Sequence, residues 1–174
     1  MENKIPTIKE NNIEKPPVLY HGSPNKNISV FTPRSAEFEG EKDKFFFTSP
    51  NKAAALAYLA QGDYPWNSGI YLDDNIIRSV LPITREEFIE KDKGGALYSF
   101  DSQNFSSSKG RSGYEWVSKE SVEPDSKEEF NSALLAMESA GIKMYFLGSR
   151  ENFEKFRSLK NSSERLEFLK SFEK

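Results

Sequence analysis

The stretch Val18-Leu19-Tyr20-His21-Gly22-Ser23 reads as a short apolar strand ending in a glycine turn, and it holds the single histidine of the chain. A strand end is where the backbone stops pairing and can offer its groups to a ligand. Gly22 allows another molecule to approach closely, and Ser23-Pro24 turns the chain away. Just upstream, Pro16-Pro17 forbids helix, and the Lys, Glu and Asn of residues 1–16 bury little. Residues 1–16 therefore read as a flexible arm and residues 17–174 as one domain.

The chain has 174 residues, enough for a single domain with a full core. Its hydrophobic content is only 36%, but 14 Phe, 7 Tyr and 2 Trp make that fraction bulky, so the core can still be well filled. A formal net charge of -3 argues against broad electrostatic attraction to nucleic acid or anionic membrane. The absence of cysteine excludes disulfides, thiolate metal sites and cysteine nucleophiles. No stretch is apolar for long enough to span a bilayer, so no membrane partner is expected. The N-terminus lacks the apolar core of a secretory signal, which makes the cytoplasm the default expectation, with export by a dedicated machine as the alternative.

Downstream of the histidine, Asn25 to Gly40 is loop-like, anchored by Ile28, Val30 and Phe31. Lys44 to Thr48 is the next strand, and its Phe45-Phe46-Phe47 triplet suits burial on both faces. Ser49-Pro50 opens a helix with Ser as N-cap, continued by Ala53 to Ala60 and stopped at Gly62. A loop at 63–68 carries Tyr64 and Trp66. Strands at 69–72 and 76–81 flank the turn Asp73-Asp74-Asn75, which resembles half a calcium loop but lacks the remainder of that motif. Thr84 and Glu87 have the spacing of a capping box for a helix to Asp92. Strands at 96–100 and 114–118 are separated by a Ser- and Gly-rich loop. A helix is expected from Asp125 or Ser126, with Phe130, Leu134 and Met137 on one face. A strand at 142–147 follows. Two charged amphipathic helices then begin after Ser149 and after Asn161, the first burying Phe153 and Phe156, the second Leu166, Leu169 and Phe172. Short strands irregularly interspersed with helices indicate α+β architecture and not a doubly wound sheet.

Three separated segments carry polar groups suited to chemistry: His21-Gly22, Tyr58 in the Ala-rich helix, and Glu115-Trp116-Val117. Tyr58 lies eleven positions beyond Phe47, which ends the preceding strand. In this order, over Val18 to Val122, the set resembles the ADP-ribosyltransferase fold of diphtheria-toxin-like toxins and poly(ADP-ribose) polymerases, with its His, Tyr, Glu signature. The resemblance implies a split antiparallel sheet with flanking helices and NAD as substrate, with no metal. It implies that His21 and Ser23 lie along the bound dinucleotide, His21 bonding the adenosine ribose. The backbone of Gly22 would hold the nicotinamide carboxamide, with Phe47 and Tyr58 flanking the nicotinamide ring. Glu115 would bond the nicotinamide ribose and stabilise the cationic transition state. Catalytic roles would thus fall to Glu115, His21 and Tyr58. Two positions depart from the pattern: Ala55 stands where many members place a serine, and Phe47 where they often have tyrosine. The loop Ser106-Ser107-Ser108-Lys109-Gly110-Arg111 offers no specificity element, so the acceptor, protein or nucleic acid, is left open.

Each residue also has an ordinary reading. His21 can close a strand by bonding a carbonyl, Tyr58 can be a core aromatic, and Glu115 can be the outward member of an alternating strand. Glu120 and Glu123 are rivals for the acidic role, and Glu115 is preferred because Trp116 and Val117 continue it into a strand. The charged runs 39–44 and 90–93 read as solvated loops. A non-catalytic module with a degenerate pocket is one alternative function. An NAD-dependent RNA 2'-phosphotransferase is another, which the single histidine and acidic balance disfavour.

Overall fold

The computed structural model describes residues 14–38, 40–60, 69–73, 76–107 and 115–173. These form an α+β fold whose strands make three small sheets. The central sheet consists of β1 (Val18–Ser23), β6 (Gly95–Asp101) and β9 (Ser126–Phe130), in the order β1-β6-β9 and antiparallel throughout. Facing it is a sheet of β2 (Arg34–Phe38), β3 (Glu41–Thr48), β8 (Trp116–Ser118) and β7 (Ser106–Ser107), in the order β2-β3-β8-β7. The third sheet holds β4 (Gly69–Asp73), β5 (Ile76–Leu81) and β10 (Lys143–Phe146), where β10 runs parallel to β5, so the fold is not purely antiparallel.

Alternation along β1 and β6 explains the layering. Leu19 of β1 and Ala96, Tyr98 and Phe100 of β6 face a core with Phe46 and Trp116 from the second sheet and Phe31 and Phe105 from the segments flanking it. Tyr20 and Leu97 face the other way. They meet a core built from α1 (Lys52–Leu56), the 3-10 turn Ala57–Ala60 that continues it, and α3 (Ala133–Ser139). The central sheet is thus covered on both faces. A third cluster, with Val80, Tyr145 and Leu147, is roofed by α4 (Arg150–Ser158) and α5 (Ser162–Lys170) through Phe153, Phe156 and Leu169.

Several local signals act as the sequence predicts. Thr84 and Glu87 form a full capping box at α2 (Arg85–Lys91), and Ser149 and Asn161 cap α4 and α5. Phe153, Phe156 and Leu169 are buried, while Leu166 and Phe172 are half-buried. Other expectations are corrected. The helix expected from Asp125 or Ser126 is instead strand β9, and helix begins only at Ala133 behind the N-cap Ser132. The β6 edge needs a partner for its backbone groups, and this tertiary demand overrides the local capping pattern. Arg34–Phe38, expected as loop, is β2, and residues 41–44 of the expected solvated run extend β3 with their side chains exposed. The first helix is capped by Asn51 and not by Ser49. It is also short, passing into a 3-10 turn at Ala57, so Tyr58 sits on that turn. Gly62, Tyr64, Trp66, the Asp74-Asn75 turn and Ser108 to Tyr114 lie outside the described residues.

Asp92 fixes the position of α3. Its carboxylate accepts from the amides of Ala133 (2.8 Å), Leu134 (3.1 Å) and Gly94 (2.8 Å) and from the Ser132 hydroxyl (2.7 Å). Partial burial pushes its pKa up, but these four donors outweigh that, and the net effect is a carboxyl held below its usual value. The stability it contributes is therefore present above the unfolded-state pKa of about 4 and is lost as pH falls through the lower folded value. Asp92→Ala should lower unfolding free energy by about 2 kcal/mol in urea titrations at neutral pH, since it orphans several amides at once. The loss should shrink in acid.

Candidate functional site

β1 and β3 touch at one place. Tyr20 and Ser49 exchange two backbone hydrogen bonds, Tyr20 N to Ser49 O at 2.8 Å and Ser49 N to Tyr20 O at 2.9 Å. Continued pairing would set Gly22 against Phe47, yet no such ladder forms and the strands part. Alternation then fixes where the backbone groups of Gly22 point. Tyr20 spends both of its groups on Ser49, away from β6, so Gly22, two residues on, also turns its N–H and C=O away from β6. They face the opening between β1 and β3, where no described residue is assigned to them.

The His21 imidazole spans that opening. Its Nδ1 lies 2.9 Å from the Phe47 carbonyl oxygen. A carbonyl only accepts, so Nδ1 carries the proton and Nε2 of the neutral ring is an acceptor. Phe31 meets the ring edge-on at 5.1 Å, Phe46 lies tilted at 4.9 Å, and Tyr58 stacks on it at 6.2 Å with 22° between planes. Burial among these rings lowers the pKa of His21 to about 4, despite the opposing pull of the Phe47 carbonyl, and the charge of Arg34 lowers it further. The imidazole is neutral at physiological pH.

Close packing of α1 brings Tyr58 to this place. A Cβ on Gly22 would collide with the Ala55 carbonyl oxygen, so only glycine lets the helix lie so near β1. Ala55 itself is buried beneath. On the other flank, Glu115 immediately precedes β8 and is half-buried. Val117 pairs with Phe47, and alternation puts Glu115 and Val117 on one face of the second sheet, shared with Phe47.

The expected residues thus fall out as follows. His21 and Tyr58 stack, Gly22 opens its backbone beside them, and Phe47 offers its carbonyl to His21. The Phe47 ring packs instead with Phe38 and Phe45, at 5.9 and 6.2 Å. Ser23 is buried and its hydroxyl accepts from the Asn25 amide at 3.2 Å, a turn contact. Phe31 and Phe46, which enclose the imidazole, were not singled out as site residues. Phe46 alternates with Phe47, so the same triplet that marks a strand also marks which ring faces β1. Trp116, next to Glu115, buries its indole Nε1 without a partner. Among the described residues no group of three or more His, Asp or Glu side chains is placed to hold a metal ion, and no helix is long and apolar enough to cross a membrane. A polar hollow of about 270 Å3 beside Asp101, Glu123 and Asp125 lies at the far end of β6, where Asp101 pairs with Val18, and is separate from this opening. No protein-family model, curated protein or solved structure matches the chain.

A single histidine makes the electrostatics directly measurable. The folded pKa lies below the unfolded value of about 6.5, so the unfolded chain takes up a proton first as pH falls. Stability from the neutral ring is fully present above about 6.5 and erodes toward pH 4, by at most roughly 3 kcal/mol. The imidazole C2–H resonance should titrate near pH 4 in the native protein, and His21→Gln should abolish the stability slope between pH 6.5 and 4.5. A native midpoint near 6.5 would contradict the enclosed ring.

Proposed function

We propose that the opening between β1 and β3 is a nicotinamide site and that the protein is an ADP-ribosyltransferase acting on NAD. The observation that carries this reading is the outward amide of Gly22 beside His21 and Tyr58. A primary carboxamide is the complement of one strand residue's backbone: its C=O accepts from the Gly22 N–H and its NH2 donates to the Gly22 C=O. Two parallel bonds fix the ring plane, and aromatic walls suit a flat π-system. Nε2 of His21, an acceptor in the neutral ring, suits a ribose hydroxyl.

In the reaction, the bond between ribose C1' and the nicotinamide nitrogen breaks, and its electron pair leaves with nicotinamide. The C1' centre gains cationic character and is taken by a nucleophile of the acceptor, which releases its proton to solvent. In this reading Glu115, at the entry to β8, supplies the negative charge that favours this cation and bonds the ribose hydroxyl. Stabilisation of developing charge by such a fixed group is worth about 3 kcal/mol. The acceptor is a macromolecule, protein or nucleic acid, that carries this nucleophile.

Titration calorimetry with NAD should show binding, and chromatography should detect nicotinamide released over time. Glu115→Gln should reduce that release about 100-fold or more while leaving thermal unfolding unchanged. Binding without release, equal in both proteins, would make the chain a non-catalytic NAD module. No heat of binding at millimolar NAD would remove the reading altogether.

A further inference from the structure

Arg34 opens β2 and pairs with Phe45, so its side chain shares the face of the second sheet that carries Phe45, Phe47 and Glu115. Phe45 is two residues from Phe47, a separation of about 7 Å along the strand. Arg34 also follows Phe31 by three residues, and the Phe31 ring abuts the imidazole. The guanidinium is therefore placed on the rim of the His21 opening from two directions along the backbone.

The nearest basic side chain across the Phe45 face is engaged elsewhere: Lys119 bridges Glu41 at 2.6 Å and Asp43 at 3.0 Å and lies over Phe45. Lys52 lies over Tyr20. Arg34 is exposed and, among the described residues, makes no ion pair, hydrogen bond or ring contact. A guanidinium at the mouth of a cleft that, among the described residues, makes no ion pair is suited to an anionic ligand group. Its charge is already felt at the site, since it disfavours protonation of His21.

We propose that Arg34 is the residue that binds the pyrophosphate of the dinucleotide, selecting phosphate-bearing ligands over nucleosides at the same opening. This rests on the nicotinamide reading of the site. Arg34 pairs with Phe45, two residues along β3 from the Phe47 carbonyl at the opening. The contact is charge-assisted and exposed at the rim, so it should depend on ionic strength.

The test is calorimetric titration of the full chain with NAD, ADP-ribose and nicotinamide riboside, at low and high salt. Arg34→Gln should weaken NAD and ADP-ribose about tenfold at low salt and leave nicotinamide riboside unchanged. Its NAD affinity should also lose most of its salt dependence. Arg34→Lys should recover part of the affinity. Lys143→Gln, the same charge change on the remote strand β10, should alter nothing. Unchanged NAD affinity in Arg34→Gln would overturn the assignment while leaving the nicotinamide site standing. Equal weakening of nicotinamide riboside would overturn it too, by showing that Arg34 shapes the pocket and not the phosphate contact. Failure of the unaltered protein to bind either NAD or nicotinamide riboside would remove the site itself and this role with it.

Discussion

Two antiparallel strands that begin to pair will normally continue, because each further residue adds hydrogen bonds at little extra entropic cost. β1 and β3 stop after the Tyr20–Ser49 exchange. Two features hold them apart. On one side α1 presses its Ala55 carbonyl onto Gly22, tying the end of β1 to the helical layer. On the other, the His21 ring reaches across and takes the Phe47 carbonyl that a ladder would have used. The side chain replaces a backbone bond, so Phe47 is satisfied while Gly22 is left facing the gap. Closing the gap would require expelling the imidazole from its aromatic enclosure and moving a helix. The opening is consequently a product of packing on both faces of the central sheet.

The legible part of the sequence was what local chemistry decides. The Thr84–Glu87 capping box, the caps at Ser149 and Asn161, and the Phe45-Phe46-Phe47 strand all act through neighbours within a few residues. What was not legible depended on distant partners. Ser126-Lys127-Glu128-Glu129 has a composition that favours solvent and helix, and nothing local says that the open side of β6 will pair with it. Arg34–Phe38 pairs with a charged stretch through backbone bonds that its side chains do not announce. The outward turn of the Gly22 amide is a further case. It follows from which residue of β1 first meets Ser49, a register that no single segment encodes.

The surface charges contribute little to holding the fold. Lys127 with Glu129, Lys170 with Glu167 and Arg150 with Glu154 are solvent-exposed pairs along single elements, where water screens most of the attraction. Arg85 with Glu138 links α2 to α3, but the clasp of Asp92 on the α3 amides secures that contact far better, because several charge-assisted bonds converge on one carboxylate. The aromatic core between the two antiparallel sheets also encloses the imidazole, through Phe31 and Phe46.

This coupling of core and site gives the histidine its character. A solvated imidazole near pH 7 would be protonated part of the time, and in that form both nitrogens donate. Enclosed by Phe31, Phe46 and Tyr58, and near Arg34, the ring stays neutral, and the Phe47 carbonyl selects the tautomer with the proton on Nδ1. Nε2 is then a permanent acceptor. Under the proposed reading, a neutral acceptor orients a ribose hydroxyl without adding charge where a cation would develop. Burial of the histidine thus fixes both its charge and which of its nitrogens can accept.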